Sequence, residues 1–198
     1  MKRILLAALF MFTFSVSVFA LGSTLDVKGG IQYPSDVEKV GFDSAATLNI
    51  GVDKYFALGV ESGFGWIKWE DKDSPVTAGY LTVAKVEKTN LYYLPLLAVA
   101  TVRFSDFMES DGFMPYISGG AGYSWTWYRN PDFKDRFEGF TWQAVAGVAF
   151  RLGSDSNLTL VVEGGYRGAD VQDSHDYALN MSGPIGRIGI SFPLEVTE

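Results

Sequence analysis

The stretch Pro115-Tyr-Ile-Ser-Gly-Gly-Ala-Gly-Tyr-Ser-Trp-Thr-Trp-Tyr128 divides into two faces. Ile117, Gly119, Ala121, Tyr123, Trp125 and Trp127 fall on one, and Ser118, Gly120, Gly122, Ser124, Thr126 and Tyr128 on the other. Side chains alternate across a strand, so this reads as a strand with one apolar, aromatic-ended face and one small, hydroxylic face. Three further stretches repeat the pattern. Trp142, Ala144, Ala146, Val148 and Phe150 alternate with Thr141, Gln143, Val145, Gly147 and Ala149. Leu160, Val162, Gly164 and Tyr166 alternate with Val161, Glu163, Gly165 and Arg167, and Leu58, Val60, Ser62, Phe64 and Trp66 with Gly59, Glu61, Gly63, Gly65 and Ile67. The chain is a meander of long amphipathic strands.

Eight such strands can be laid out: Leu25–Tyr33, Ala45–Val52, Phe56–Trp69, Leu91–Phe104, Pro115–Tyr128, Thr141–Leu152, Leu158–Arg167 and Ile185–Phe192. The fourth is apolar on both faces. Placing its Arg103 inward turns Tyr92, Leu94, Leu96, Ala98, Ala100 and Val102 outward, and Pro95 predicts a bulge because it removes a ladder donor. Connections at one end are short (Asp53–Tyr55 and Gly153–Asn157), with Ser105–Met114 intermediate. Those at the other end are longer: 70–90, 129–139 and 169–184, with Pro34–Gly41 the shortest of that set. Within 70–90, Tyr80–Lys88 again reads as strand, so the third and fourth strands are expected to project as a hairpin. Short turns at one end and long loops at the other suit a barrel of the outer membrane.

Length and composition narrow the classes. The 198 residues suffice for one domain, and 22 Gly with 15% aromatics favour β structure. With no Cys, disulfides, thiolate metal sites and cysteine nucleophiles are excluded. Residues 1–20 carry Lys2 and Arg3, an apolar run and the small-residue site Val18-Phe19-Ala20, which predicts a signal peptide removed to leave a barrel over 21–198. Losing those two bases takes the formal charge from −7 to −9, so nucleic acid is not an expected partner. No later apolar run is long enough for a membrane helix; a membrane-spanning form must therefore be a closed barrel.

Alternation alone also fits a soluble ligand-binding β-barrel with its apolar face inward. Lipid is favoured because the apolar faces of the second, third, fifth, sixth, seventh and eighth strands carry no charge and gather aromatics near strand ends. The opposite faces are rich in glycine, which suits a narrow lumen better than a wet exterior. The signal peptide directs the chain to the compartment where such barrels assemble. The expected fold is all-β, an eight-stranded antiparallel up-and-down transmembrane β-barrel.

Pro115-Tyr-Ile-Ser-Gly-Gly-Ala-Gly-Tyr123, Leu94-Pro-Leu-Leu97 and the closing Gly186-Arg-Ile-Gly-Ile-Ser-Phe192 resemble the outer-membrane β-barrel domain of opacity-type surface proteins. These are similar in architecture to the small OmpA/OmpX barrels. The resemblance covers essentially the whole mature chain. It implies a place in the outer membrane of a Gram-negative-type bacterium, with membrane lipid and the barrel assembly machinery as partners. Two departures stand out. Six residues follow Phe192, where many members end on the aromatic, and no peptidoglycan-binding domain follows to suggest a cell-wall anchor.

Residues able to carry chemistry are few. Asp173-Ser-His-Asp176 holds the sole histidine, His175, and invites comparison with barrel enzymes that modify lipid A. Adjacent residues do not converge on one site, so an exposed loop histidine is expected. Asp170, Asp173 and Asp176, or Glu70, Asp71 and Asp73, match no calcium loop and read as solvated acids. Gly119, Gly120 and Gly122 lie within a strand, where packing accounts for them. No metal, cofactor or catalytic residue is expected.

The remaining readings are a non-enzymatic surface barrel presenting loops 70–90, 129–139 and 169–184 to extracellular ligands or host molecules, and a narrow channel for small solutes. The inner face favours the first. Lys28, Glu61, Glu163 and Arg187 sit at similar heights on inward faces, so they are expected to form an ion network that fills a polar lumen.

Overall fold

The computed structural model describes residues 22–72, 76–78, 81–83, 86–129, 134–153, 158–172 and 178–194. Eight long strands form one closed antiparallel ring: β1 (Ser23–Gln32), β2 (Gly41–Gly51), β3 (Phe56–Lys72), β6 (Val86–Arg103), β7 (Phe113–Arg129), β8 (Lys134–Arg151), β9 (Thr159–Gln172) and β11 (Gly183–Leu194). Closure comes from pairing of β9 with β8 on one side and β11 on the other, and of β11 with β1. The short strands β4 (Val76–Ala78) and β5 (Leu81–Val83) pair together, and β10 (Ala178–Asn180) extends β9.

The two faces divide as the alternation requires. Val27, Ile31, Leu48, Leu58, Val60, Ile117, Val162 and Ile188 project from the outside, while Lys28, Thr47, Glu61, Ser118, Glu163 and Arg187 are buried inside. On β6 the even positions do face outward, with Tyr93, Leu97, Val99 and Thr101 buried on the inner side.

Three boundaries differ from the sequence reading. The bulge expected at Pro95 does not form. Ser62↔Leu96 and Gly65↔Tyr93 keep one register, and pairing with β3 lapses only for the residues between. Asp106–Asp111 folds into a six-residue helix, α1, closed by Gly112 in the left-handed conformation and tied to the β2–β3 turn by Lys54 Nζ and Asp106 Oδ1 at 3.0 Å. The ladder between β7 and β8 runs on to Arg129↔Lys134, through sequence expected as loop, while β3 and β6 pair out to Lys72↔Val86 as the expected hairpin requires. Strands of 17 and 18 residues exceed the roughly 9–11 that a bilayer crossing needs, so this side of the barrel is the taller one.

Glycine on the inner face is a matter of space. A Cβ on Gly165 would fall under 3 Å from Ala144 O, Val145 Cα and Val145 Cγ1. A Cβ on Gly119 meets nothing within 4 Å, so packing does not account for that residue, which faces outward. Gly165→Ala is therefore expected to destabilise the barrel by about 1–3 kcal/mol through overpacking. Gly119→Ala should be neutral or slightly stabilising, since it only restricts the unfolded chain. Urea unfolding followed by tryptophan fluorescence checks the pair; equal effects would show that the close approach is relaxed.

Candidate functional site: the charged interior

The barrel interior is layered. Nearest the short turns, Asn49 Nδ2 donates to Asp26 Oδ2 at 2.7 Å, Ser191 Oγ donates to Asp26 Oδ1, and Thr101 donates to Ser118 at 3.0 Å. These residues, with Thr24, Arg103 and Tyr116, line a polar cavity of about 110 Å³.

Above it lie six charges. Lys28 Nζ is 3.0 Å from Glu61 Oε2 and 3.1 Å from Glu163 Oε1. Arg187 reaches Glu61 Oε1 at 2.9 Å, Glu163 Oε1, and Asp43 Oδ2 at 3.6 Å. Arg167 Nη1 donates to Asp43 Oδ1 at 2.7 Å, and its guanidinium lies 5.3 Å from the centre of the Tyr93 ring. All six side chains are at most 5% exposed. Three bases face three acids, so the cluster is formally neutral. Neutral donors fill the remaining acceptor positions: Thr47 and Gln143 to Glu61 at 2.8 and 2.7 Å, and the Tyr116 hydroxyl to Glu163 at 2.6 Å.

Register explains how long side chains fit so narrow a tube. Lys28 has Gly189 as a cross-strand neighbour, Arg187 has Gly30, Glu163 has Gly147, Asp43 has Gly65, and Arg167 has Gly183. Five of the six charges thus lie beside a residue with no side chain. Glu61 instead neighbours Thr47, which is one of its hydrogen-bond donors.

The outermost layer is mainly apolar. Ile67, Leu91, Tyr93, Phe137, Ala169, Val171 and Met181 form one buried cluster, with Val37, Trp69, Tyr128 and Leu179 packed against it. Thr89, Thr126 and Thr141 are buried among them, and the Tyr93 and Thr141 hydroxyls are 2.9 Å apart.

The protein-family model described as "Outer membrane protein beta-barrel domain" matches residues 5–183. The chain belongs to this outer-membrane β-barrel family. Among solved structures, this barrel is similar to Neisserial surface protein A at 12% identity and a TM-score of 0.60, over 87% of this chain and 96% of that one. It is also similar to the N-terminal β-barrel domain of Pseudomonas aeruginosa OprF at 15% identity and a TM-score of 0.51, over 88% and 98%. At these identities the likeness is one of fold. No curated protein matches the chain. Family membership places this barrel in the bacterial outer membrane.

The structure brings Lys28, Glu61, Glu163 and Arg187 of this outer-membrane barrel into mutual contact. Sequence reasoning missed Asp43, Arg167, Gln143 and Tyr116. Arg167 already stood on an inward face. Asp43 has the parity of Thr47, and extending the second strand by two residues would have exposed it. Arg103 faces the cavity and is half-buried. His175, Asp173, Asp176 and Asp73 lie outside the described residues, as does the expected signal peptide. Among the described residues, no group of three or more His, Asp and Glu side chains is placed to hold a metal ion.

Proposed function

We propose that this barrel is a non-enzymatic surface protein whose interior is closed to free diffusion. It supports the outer membrane and presents its projecting hairpins and loops, within 70–90, 129–139 and 169–184, to extracellular molecules. One observation carries the reading: the ion-paired cluster joins β1, β2, β3, β9 and β11 across the interior. Eight strands enclose little more than their own side chains. An ion entering the tube would have to separate paired charges and then pass the tightly packed, mainly apolar layer above. The channel alternative requires both layers to open.

Planar-bilayer recording of the refolded protein tests this. No discrete openings are expected across physiological voltages; stable unitary conductance from wild-type protein would replace the closed-barrel reading with the channel. The same proposal takes residues 1–20 as a signal peptide cut after Ala20. The barrel assembly machinery then inserts residues 21–198. Intact mass of the protein purified from outer membranes should correspond to a chain starting at Leu21.

A further inference from the structure

The polar cavity near the short turns holds two charges that the central cluster does not use. Its charged lining residues are Asp26, Lys28, Glu61, Arg103 and Glu163. Lys28, Glu61 and Glu163 are paired within the cluster, which forms the inner end of the cavity. Asp26 and Arg103 remain. Arg103 is the last residue of β6 and Asp26 the fourth of β1, so both stand near the strand ends at the short-turn side.

These two groups are differently committed. Asn49 Nδ2 and Ser191 Oγ each donate to one oxygen of Asp26, which fixes the carboxylate and leaves each oxygen a second acceptor position. The half-buried Arg103 guanidinium has, among the described residues, no hydrogen-bond acceptor and no acid within 4.0 Å. It has lost part of its water without gaining a partner, an arrangement that a carboxylate in the cavity would relieve.

The remaining walls supply shape. Met114, Ala149 and Val161 make an apolar side. At roughly 30 Å³ per water, a cavity of about 110 Å³ has room for about four waters or one small organic molecule. An ion of one sign would leave Asp26 or Arg103 unmatched and add net charge beside a neutral cluster. A small zwitterion matches both. Its carboxylate accepts two N–H bonds from Arg103, its ammonium donates to Asp26, and a methyl group fits the apolar side.

We infer that this cavity is a binding site for a small zwitterion of the α-amino-acid class, with Arg103 holding its carboxylate and Asp26 its ammonium. In the orientation proposed above the site faces the periplasm. Binding itself needs neither that orientation nor a closed lumen, so a conducting barrel would leave the inference standing. It is tested by isothermal titration of the mature protein, refolded in non-ionic detergent, with three probes. These are alanine, propionate, which lacks the ammonium, and ethylammonium, which lacks the carboxylate. Each analogue forfeits one charge-assisted contact, so alanine should bind at least about tenfold more tightly than either. Arg103→Gln and Asp26→Asn should each weaken alanine binding by about tenfold or more, with heat-modifiable migration unchanged. Lys54→Gln removes an exposed cation at the same end that does not line the cavity, and should bind alanine as wild type. The comparison of probes on wild-type protein stands whether or not a variant folds. Absence of alanine binding to wild type overturns the inference, as does equal binding by Arg103→Gln or a matching loss in Lys54→Gln. Equal binding of propionate overturns the assignment to a zwitterion.

Discussion

Arg187→Met is expected to destabilise the barrel by about 3–5 kcal/mol, because it leaves buried carboxylates without their shared cation. Arg187 contacts Glu61, Glu163 and Asp43, and among the described residues no other base touches all three. Without it, Lys28 and Arg167 face three acids, and the surplus negative charge falls on buried carboxylates. Methionine keeps much of the volume, so cavity formation contributes little to the loss. A second substitution separates charge from packing. Glu163→Gln added to Arg187→Met restores the charge balance while retaining an amide that the Tyr116 hydroxyl can still reach. The double variant should recover a large part of the lost stability. Equilibrium urea unfolding in lipid vesicles, with heat-modifiable migration as the measure of folded protein, gives all four corners of the cycle. A loss below about 1 kcal/mol for Arg187→Met would mean that the charges behave as hydrated surface groups. The proposal that they close the lumen would then fail.

The legibility of this chain follows the membrane. Where lipid touches one face and the interior the other, every second residue is constrained, so Ile117 to Trp127 could be assigned from alternation. Even β6, apolar on both faces, was oriented by a single inward arginine. Above the bilayer that constraint ends. Lys134-Asp-Arg-Phe-Glu-Gly139 has no apolar face to mark it as strand, yet its backbone continues the ladder from β7. The mainly apolar outer layer was hidden for a related reason. Ile67 stood on an inward face, Leu91 on a strand apolar on both faces and Phe137 in expected loop, and only closure of the ring brings them together. The charged site was half visible. Parity and height selected Lys28, Glu61, Glu163 and Arg187. The pairing of Asp43 with Arg167 and the glycines beside five of the six charges depend on cross-strand register, which no single strand encodes.

Val162→Arg is expected to cost about 2–4 kcal/mol, the penalty for an arginine facing lipid near the bilayer midplane. Val162 is 42% exposed on the outer face of β9, in register with Val148 and Ile188. It lies between Leu160, beside Phe150, and Tyr166, whose ring is 6.1 Å from that of Trp142. Those aromatic positions mark the two interfaces, so Val162 stands in hydrocarbon. A single costly arginine would not distinguish lipid from a protein core, since a core rejects the charge as well. Depth dependence does. Leu152, beyond the inner aromatic ring, and Val40, at the outer rim, are also exposed apolar residues. Arginine at either should cost only about 0–1 kcal/mol, because the side chain reaches headgroups and water. The expected profile therefore peaks at Val162 and Ile188 and falls towards both ends, measured by urea unfolding in vesicles of one lipid composition. A profile that stayed flat with depth would be inconsistent with a bilayer against this face. If Val162→Arg instead made the protein soluble without detergent, the outward faces would have to be assigned to water.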